Sequence, residues 1–204
     1  NFINDSQLKQ YKSEEINLKK RKIKLLQEAN YYTEEIRRII KDNYGYDKLY
    51  AEGFSIKSAL DVNYQLYALS ALRSGIESYD RRHGWRGSIL NTKLDTNWKE
   101  KLREKKIDTS LKWNFAEITN VSDTEIVFEI LNEKDQGSIQ VNNLKWAINK
   151  TIYDSFNIND VIFVHKNLNG SWELKQYPKV NGAIVAIDPF SGKVKALVGG
   201  FSFD

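Results

Sequence analysis

The sequence predicts an α+β fold in which a five-stranded β-barrel is inserted into an incomplete α/β layer. A strand–helix unit at 54–79 and a β-hairpin at 182–198 are both rich in apolar residues. We expect the two to pack against each other, so that the helix covers the hairpin. Between them, residues 84–178 carry 13 basic and 13 acidic side chains, so their net charge is zero. Short strand patterns follow one another in this neutral part, at 112–119, 124–131, 137–141, 160–166 and 171–177.

Five short strands with an intervening helical segment in about 70 residues favour an OB-like barrel, the five-stranded oligonucleotide/oligosaccharide-binding fold. The helical segment is NNLKWAIN, between the third and fourth strands, and another helical patch is predicted at 96–106. A host fold accepts such an insertion best at a surface loop. We therefore expect the flanking units to pack together and the barrel to project from their junction.

The flanking units have clear signals. Two β-branched-rich runs, 183–187 and 194–198, predict a hairpin whose turn contains Pro189 to preset φ and Gly192 to take the unusual dihedral. Asp61 is a predicted N-cap of a long helix. Intervals of three and four residues give this helix a predicted inner stripe of Val62, Leu66, Leu69, Leu72, Ile76 and Tyr79, which we expect to cover the hairpin.

The N-terminal part is less regular. Asn4-Asp5-Ser6 predicts a short capped helix, and the basic stretch 16–27 predicts a solvated linker. A second helix is expected from Thr33 to a stop at Gly45, with an inner stripe of Ile36, Ile39 and Ile40. Alternation over 52–61 predicts a strand with one buried face.

Composition excludes several kinds of chemistry. The 204 residues carry a net charge of +4 and contain no Cys, which excludes thiol catalysis, disulfides and Cys-based zinc sites. Only two His are present, so a His-rich metal site is not expected. No apolar run approaches the ~20 residues that cross a bilayer. Because the first residue is Asn and Met is absent, we expect a piece of a longer protein.

Four stretches, in order and spacing, resemble the class A bifunctional penicillin-binding proteins: YYTEEIRRIIKDNYG, LYAEGFSIKSALDVNYQ, YDRRHGWRG and GAIVAIDPFSGKVKALVGGF. The resemblance implies that residues 1–53 end a glycosyltransferase region and its linker. It also implies that residues 54–83 and 179–204 begin a discontinuous transpeptidase domain, with an OB-like domain inserted at 84–178. The chain departs from the family's usual Thr-Thr-Leu-Asp at 57–61 and from its Gly-Gly at 52–53, and neither change touches the chemistry.

The same resemblance implies a function for the whole protein, which would polymerise lipid II and cross-link peptidoglycan from the periplasmic side of the inner membrane. The family's catalytic serine and glutamates fall outside this chain, so we expect a non-catalytic fragment without cofactors. The membrane would be reached only through an N-terminal anchor outside the fragment. The inserted domain is expected to serve as an interdomain spacer and as a docking module for a regulatory protein or an outer-membrane lipoprotein activator.

The candidate site residues are interpreted as a structural junction. Charged residues and glycines cluster where the long helix ends, and cations suit that end because they satisfy its last carbonyls. An Asp–Arg network here would hold the inserted domain on its host. The predicted junction residues are Asp80, Arg81, Arg82, His83, Gly84, Arg86 and Gly87, together with Asp188, Pro189, Gly192, Gly199 and Gly200 near the hairpin.

Three alternatives remain. Asp80 and His83 could form a general base in an autonomous hydrolase, although no nucleophile or metal set accompanies them. Ser6-Gln7-Leu8-Lys9 and Ser155-Phe156-Asn157 match transpeptidase patterns formally, but Lys-Thr-Gly is missing. An independent OB-type module could bind glycan or single-stranded nucleic acid through its aromatic residues. The module's zero net charge argues against nucleic acid, because phosphate binding needs surplus Lys and Arg.

Overall fold

The computed structural model of the chain describes residues 4–13, 26–52, 55–105, 107–131, 133 and 135–203. The α-helices are α1 (Asp5–Ser13), α2 (Asn30–Tyr44), α3 (Val62–Arg82), α4 (Trp98–Glu104), α5 (Val141–Leu144) and α6 (Ile152–Ser155). The strands are β1 (Leu90–Asn91), β2 (Asn114–Val121), β3 (Glu125–Ile130), β4 (Gln136–Gln140), β5 (Asp160–Lys166), β6 (Trp172–Lys175), β7 (Ile184–Ile187) and β8 (Val194–Val198). Short 3₁₀-helices occupy Gln27–Ala29 and Thr109–Leu111, and a π-helix occupies Lys48–Glu52. In these ranges, no helix has the length and apolarity needed to cross a bilayer.

Strands β1 to β6 form one antiparallel sheet in the order β1-β5-β2-β3-β4, with β6 also paired to β5. The five predicted strands are all found, with ends displaced by no more than two residues from the sequence prediction. The prediction missed β1, because two residues show no alternation. Edge strands β4 and β6 approach each other at Gly137 and Trp172. Within the described residues no strand pairing joins them, so the sheet is curled without a closing ladder.

The core of this curled sheet comes from strand alternation. Ile126, Phe128 and Ile130 of β3 are at most 1% exposed, and the residues between them are half-buried. The helical connection between β4 and β5 adds Leu144, Ile152 and Phe156 to the same core. The segment predicted as helical, NNLKWAIN, contains the last three residues of α5 and then a turn, and α6 follows it.

Strands β7 and β8 form a separate two-stranded sheet, and α3 packs on it. Ala68, Leu69, Leu72 and Ile76 of α3 share a core with Ala196, Val198 and Phe201. The prediction that the Asp61-capped helix covers the hairpin is confirmed. The cap is also confirmed, since the Asp61 side chain accepts hydrogen bonds from the backbone N–H groups of Asn63 and Tyr64.

The predicted stripe of α3 was only partly right. Val62, Leu66 and Tyr79 are 48%, 39% and 44% exposed, whereas Gln65 and Asp80 are buried. A prediction from hydrophobic periodicity places Gln and Asp at the surface. Here the side chains of Gln65 and Asp80 are buried because both are hydrogen-bonded on the packed face of α3. The buried face of α3 is therefore rotated away from its most apolar side.

Gln65 binds the free edge of β8 as a strand would. Its side-chain Oε1 accepts the N–H of Leu197 at 2.9 Å, and its Nε2 donates to the C=O of Leu197 at 3.0 Å. Nε2 also donates to the C=O of Glu28 at 2.8 Å, and Gln65 is 0% exposed. One turn earlier, the N–H of Asp61 donates to the C=O of Lys195 at 2.9 Å. A side-chain amide and one backbone group thus occupy the outer edge of β8.

The predicted strand at 52–61 is wrong for residues 55–61, which form no strand; Gly53 and Phe54 lie outside the described residues. Helix α2 begins at Asn30, three residues before the predicted Thr33, and its predicted end at Gly45 is confirmed. The isoleucine stripe of α2 is only partly buried, and Ile39 is 47% exposed.

Gly137→Ala tests the approach of the two sheet edges. An added Cβ would lie 2.6 Å from Nε1 of Trp172 and 2.7 Å from the Phe128 ring, both in the packed core. We expect a loss of about 1–3 kcal/mol in the free energy of unfolding, measured by urea titration. Gly75→Ala is the matched control, because its Cβ meets nothing within 4 Å and Gly75 lies inside α3. That control should gain about 0.5–1 kcal/mol, and equal effects of the two substitutions would contradict the packing described.

Candidate functional site

The chain leaves α3 for the six-stranded sheet at a tight turn. The N–H groups of His83 and Gly84 donate to the carbonyls of Asp80 and Arg81, at 3.0 Å each, and close the helix end. Gly84 and Gly87 have φ values of 84° and 96°, a region that favours glycine. The two glycines turn the outgoing segment so that it runs beside the returning one at 175–180.

Asp80 is the centre of this crossing. It is 4% exposed, and its two carboxylate oxygens accept the Arg86 guanidinium at 2.8 and 2.9 Å. The returning segment adds two donors, Nε2 of Gln176 at 2.8 Å and the N–H of Lys179 at 3.2 Å. A bidentate Arg–carboxylate pair fixes both distance and orientation. One carboxylate on α3 therefore holds the outgoing and the returning segments together.

Arg86 and Gln176 also bind each other's segments directly. Arg86 donates from Nη2 to the C=O of Tyr177 at 2.7 Å, and its backbone N–H donates to Oε1 of Gln176 at 2.9 Å. Nε2 of Gln176 further donates to the C=O of Gly84 at 3.2 Å. The crossing is a closed network in which every buried polar group named has a partner.

The environment of Asp80 favours its ionised form. Burial alone would raise the pKa of this carboxyl, but the hydrogen bonds from Arg86, Gln176 and the Lys179 backbone outweigh it, so the pKa lies below its ordinary value of 3.8. A buried carboxylate with a lowered pKa stabilises the fold only while it is charged.

The same side of α3 makes further charged contacts with residues between 108 and 175. Nζ of Lys175 donates to Oε2 of Glu77 at 2.7 Å, and the Arg81 guanidinium lies over the Trp146 ring at 5.2 Å. Arg73 pairs with Asp108 at 3.0 Å and donates from Nε to the C=O of Phe201 at 3.0 Å. Arg73 thus connects Asp108 with the segment that follows the hairpin.

The structure does not assemble a general base from Asp80 and His83. Both oxygens of Asp80 are bound by Arg86, and Nδ1 of His83 lies 2.9 Å from the C=O of Tyr79. Arg82 is exposed and lies over the Tyr79 ring at 5.5 Å. In the described part of the chain, no cluster of three or more His, Asp or Glu side chains could hold a metal ion.

The residues predicted near the hairpin lie apart from this crossing. Asp188 stabilises the β7–β8 turn by accepting hydrogen bonds from the N–H of Phe190 at 3.0 Å and the Ser191 hydroxyl at 2.7 Å. In the same turn, Pro189 is exposed and Gly192 has a φ of 67°. Gly199 and Gly200 pack under the Tyr31 ring of α2. A Cβ on either glycine would come within 2.7 Å of Tyr31 atoms.

The sequence prediction named residues of the outgoing segment of the crossing and none of the returning segment. Lys175, Gln176 and Lys179 carry no motif, and their partners on α3 lie more than 90 residues earlier. The missed α3 residues Arg73 and Glu77 precede Arg81 by eight and four positions, a helical spacing that could have indicated one charged face.

Comparisons with known proteins agree with this architecture. Residues 85–180 match the family model of the penicillin-binding protein OB-like domain. Penicillin-binding protein 1A of Rickettsia bellii is 32% identical over 99% of this chain, which covers 26% of that relative. Its counterpart in Escherichia coli K12 is 26% identical over 100% of this chain, covering 25% of the relative. The chain thus spans about a quarter of the length of the curated relatives it matches.

The fold is also found in a solved structure. The crystal structure of penicillin-binding protein 1A from Haemophilus influenzae matches 99% of this chain and 30% of its own, with a TM-score of 0.70 and 23% identity. The mixed α/β arrangement with an OB-like domain is therefore that of a penicillin-binding protein. The chain belongs to the class A penicillin-binding proteins, of the 1A type.

Asp80→Asn tests the crossing. The amide keeps the shape but removes the charge and leaves Arg86 without its carboxylate, so we expect a loss of about 3 kcal/mol in the free energy of unfolding at pH 7. Because the pKa of folded Asp80 is lowered, the wild type loses this advantage as pH falls below the ordinary value of 3.8 and through the folded pKa. Urea titrations from pH 7 downward should show the two proteins converging in acid.

Arg82→Ala is the matched control for this prediction. It removes a cation from the same end of α3, but the Arg82 side chain is exposed and contacts only the Tyr79 ring in the interactions described. We expect a change within about 0.5 kcal/mol. Equal stability of wild type and Asp80→Asn at pH 7 would contradict the role given to Asp80.

Proposed function

We propose that this chain is the connecting part of a bifunctional peptidoglycan synthase that polymerises glycan strands and cross-links their peptides. Residues 54–83 and 179–204 begin its transpeptidase domain, and the module at 84–178 is inserted between them as an OB-like curled sheet. Residues 1–53 lead in from the glycosyltransferase region. The protein works on the periplasmic side of the inner membrane, anchored by a segment outside this chain, and this part needs no cofactor.

The crossing at Asp80 carries this proposal. Two segments about 90 residues apart meet on the last turns of one helix, which itself packs on the hairpin. Such a network couples the orientation of the module to the transpeptidase elements, because buried charge-assisted bonds hold their geometry. The module therefore acts as a spacer that sets where the two enzymatic domains stand relative to each other.

A docking role for the module is supported by a cavity beside α4. Trp98, Leu102, Phe115 and Leu131 line a space of about 370 Å³, and Lys99 and Arg103 stand at its rim. Neither cation forms a salt bridge among the described residues. Aromatic residues and Arg are enriched in protein interfaces. We propose that a regulatory partner, such as an outer-membrane lipoprotein activator, inserts an apolar side chain flanked by carboxylates here.

Cross-linking by the full-length protein tests the spacer role. With lipid II as substrate, Asp80→Asn should lower peptide cross-links per glycan unit by about tenfold, because a misplaced domain loses productive geometry. Glycan polymerisation should continue. Fluorescent penicillin should label the full-length protein and leave the 204-residue chain unlabelled.

Two further variants make this experiment decisive. Arg86→Lys keeps the charge but loses the bidentate pair, so it should show a smaller decrease in cross-linking than Asp80→Asn. Arg82→Ala should match the wild type. If Asp80→Asn and Arg86→Lys both cross-link at the wild-type ratio, the module is not a spacer for the transpeptidase.

A further inference from the structure

A second aromatic cavity lies in the OB-like module, between the segment that leaves α3 and the helical connection that contains α5 and α6. It has a volume of about 450 Å³, within the range of small-molecule sites. The indole rings of Trp85 and Trp146 form part of its wall and meet edge to face, with centroids 5.8 Å apart. The Arg81 guanidinium lies over the Trp146 ring, with Cζ 5.2 Å from the ring centroid. Two fixed aromatic surfaces thus face one cavity.

The rest of the wall carries no cation, and it combines the apolar residues Ala147 and Ile148 with polar ones. Asn149, Asp154 and Ser155 line it together with backbone at Gly84 and Gly87. Asp154 uses only Oδ2 in the capping box of α6, accepting from the N–H and hydroxyl of Thr151 at 3.0 and 2.8 Å. Its Oδ1 and the side-chain amide of Asn149 make no hydrogen bond within the described ranges. The wall therefore offers an acceptor and an amide to a ligand.

Trp85 supplies a further unpaired donor. In the described residues, its indole N–H is the only buried side-chain polar atom without a hydrogen-bond partner. Buried donors are nearly always paired in proteins, by protein, water or ligand.

We propose that this cavity binds a neutral amino-sugar unit, of the N-acetylglucosamine type, in a glycan strand. Its aromatic walls suit the apolar faces of a pyranose and an acetamido methyl group, and its polar wall suits hydroxyls. The carboxylate of Asp154 and the lack of a lining cation disfavour phosphates and nucleic acids. The α4 cavity, with Lys99 and Arg103, has the opposite charge preference.

The identity of the sugar rests on the proposed function, since a peptidoglycan synthase meets β-linked N-acetylglucosamine in its own product. The cavity itself does not depend on that function. A strand held beside Trp85 would lie next to the crossing that joins the module to the transpeptidase elements. The module would then retain the glycan whose peptides are to be cross-linked.

Titration of the 204-residue chain with chitotriose, the β-linked trimer of N-acetylglucosamine, tests the proposal. The indole N–H signals of Trp85 and Trp146 should shift in ¹H–¹⁵N spectra, and that of Trp98 should not. Trp146→Ala should weaken binding about tenfold, as expected for loss of one aromatic surface. Asn149→Ala should weaken it severalfold, while Asn143→Ala, an exposed site on α5 outside the cavity, should bind as the wild type does.

The binding results test the sugar site separately from the proposed spacer function. No shift of the Trp85 and Trp146 signals at saturating chitotriose, or unchanged binding by Asn149→Ala, would overturn the site. Equal binding of maltotriose, which lacks the acetamido group, would overturn the assignment to an amino sugar. Trp146 packs against the module core, so the Trp146→Ala variant is used only if it still unfolds cooperatively. If it does not, the binding of Asn149→Ala decides the test. The cross-linking ratio of Asp80→Asn is independent of all these results.

Discussion

Burial of one carboxylate constrains this molecule more than any other interaction described. Asp80 is removed from water at the point where the chain leaves α3 and where it returns. An unpaired buried charge is strongly unfavourable, so Asp80 is stable only when donors from both segments are in place. The network therefore selects one arrangement of the outgoing and returning segments on α3 rather than a range of them.

The ionic contacts of α3 differ in kind from its apolar contacts. Leu69, Leu72 and Ile76 attach the helix to the hairpin without fixing an exact angle, because apolar packing is non-directional. Glu77 and Asp80 contact the module through charged hydrogen bonds, which are directional. One helix thus combines an apolar core with the hairpin and an oriented attachment for the six-stranded sheet.

Much of the fold was accessible from the sequence because its signals are local. The Asp61 cap, the turn at Gly192 and the alternation of β3 each depend on residues within a few positions of one another. The burial of Gln65 was not accessible, because its partners Glu28 and Leu197 lie 37 and 132 positions away. For the same reason the sequence predicted Asp80 and Arg86, six residues apart, but neither Gln176 nor the Lys179 backbone.

The amide of Gln65 has a consequence for how the small β7–β8 sheet can be enlarged. A further strand needs a row of unpaired backbone groups, and the outer row of β8 is already taken at Lys195 and Leu197. Growth of this sheet is therefore one-sided, because any additional strand has to align along β7.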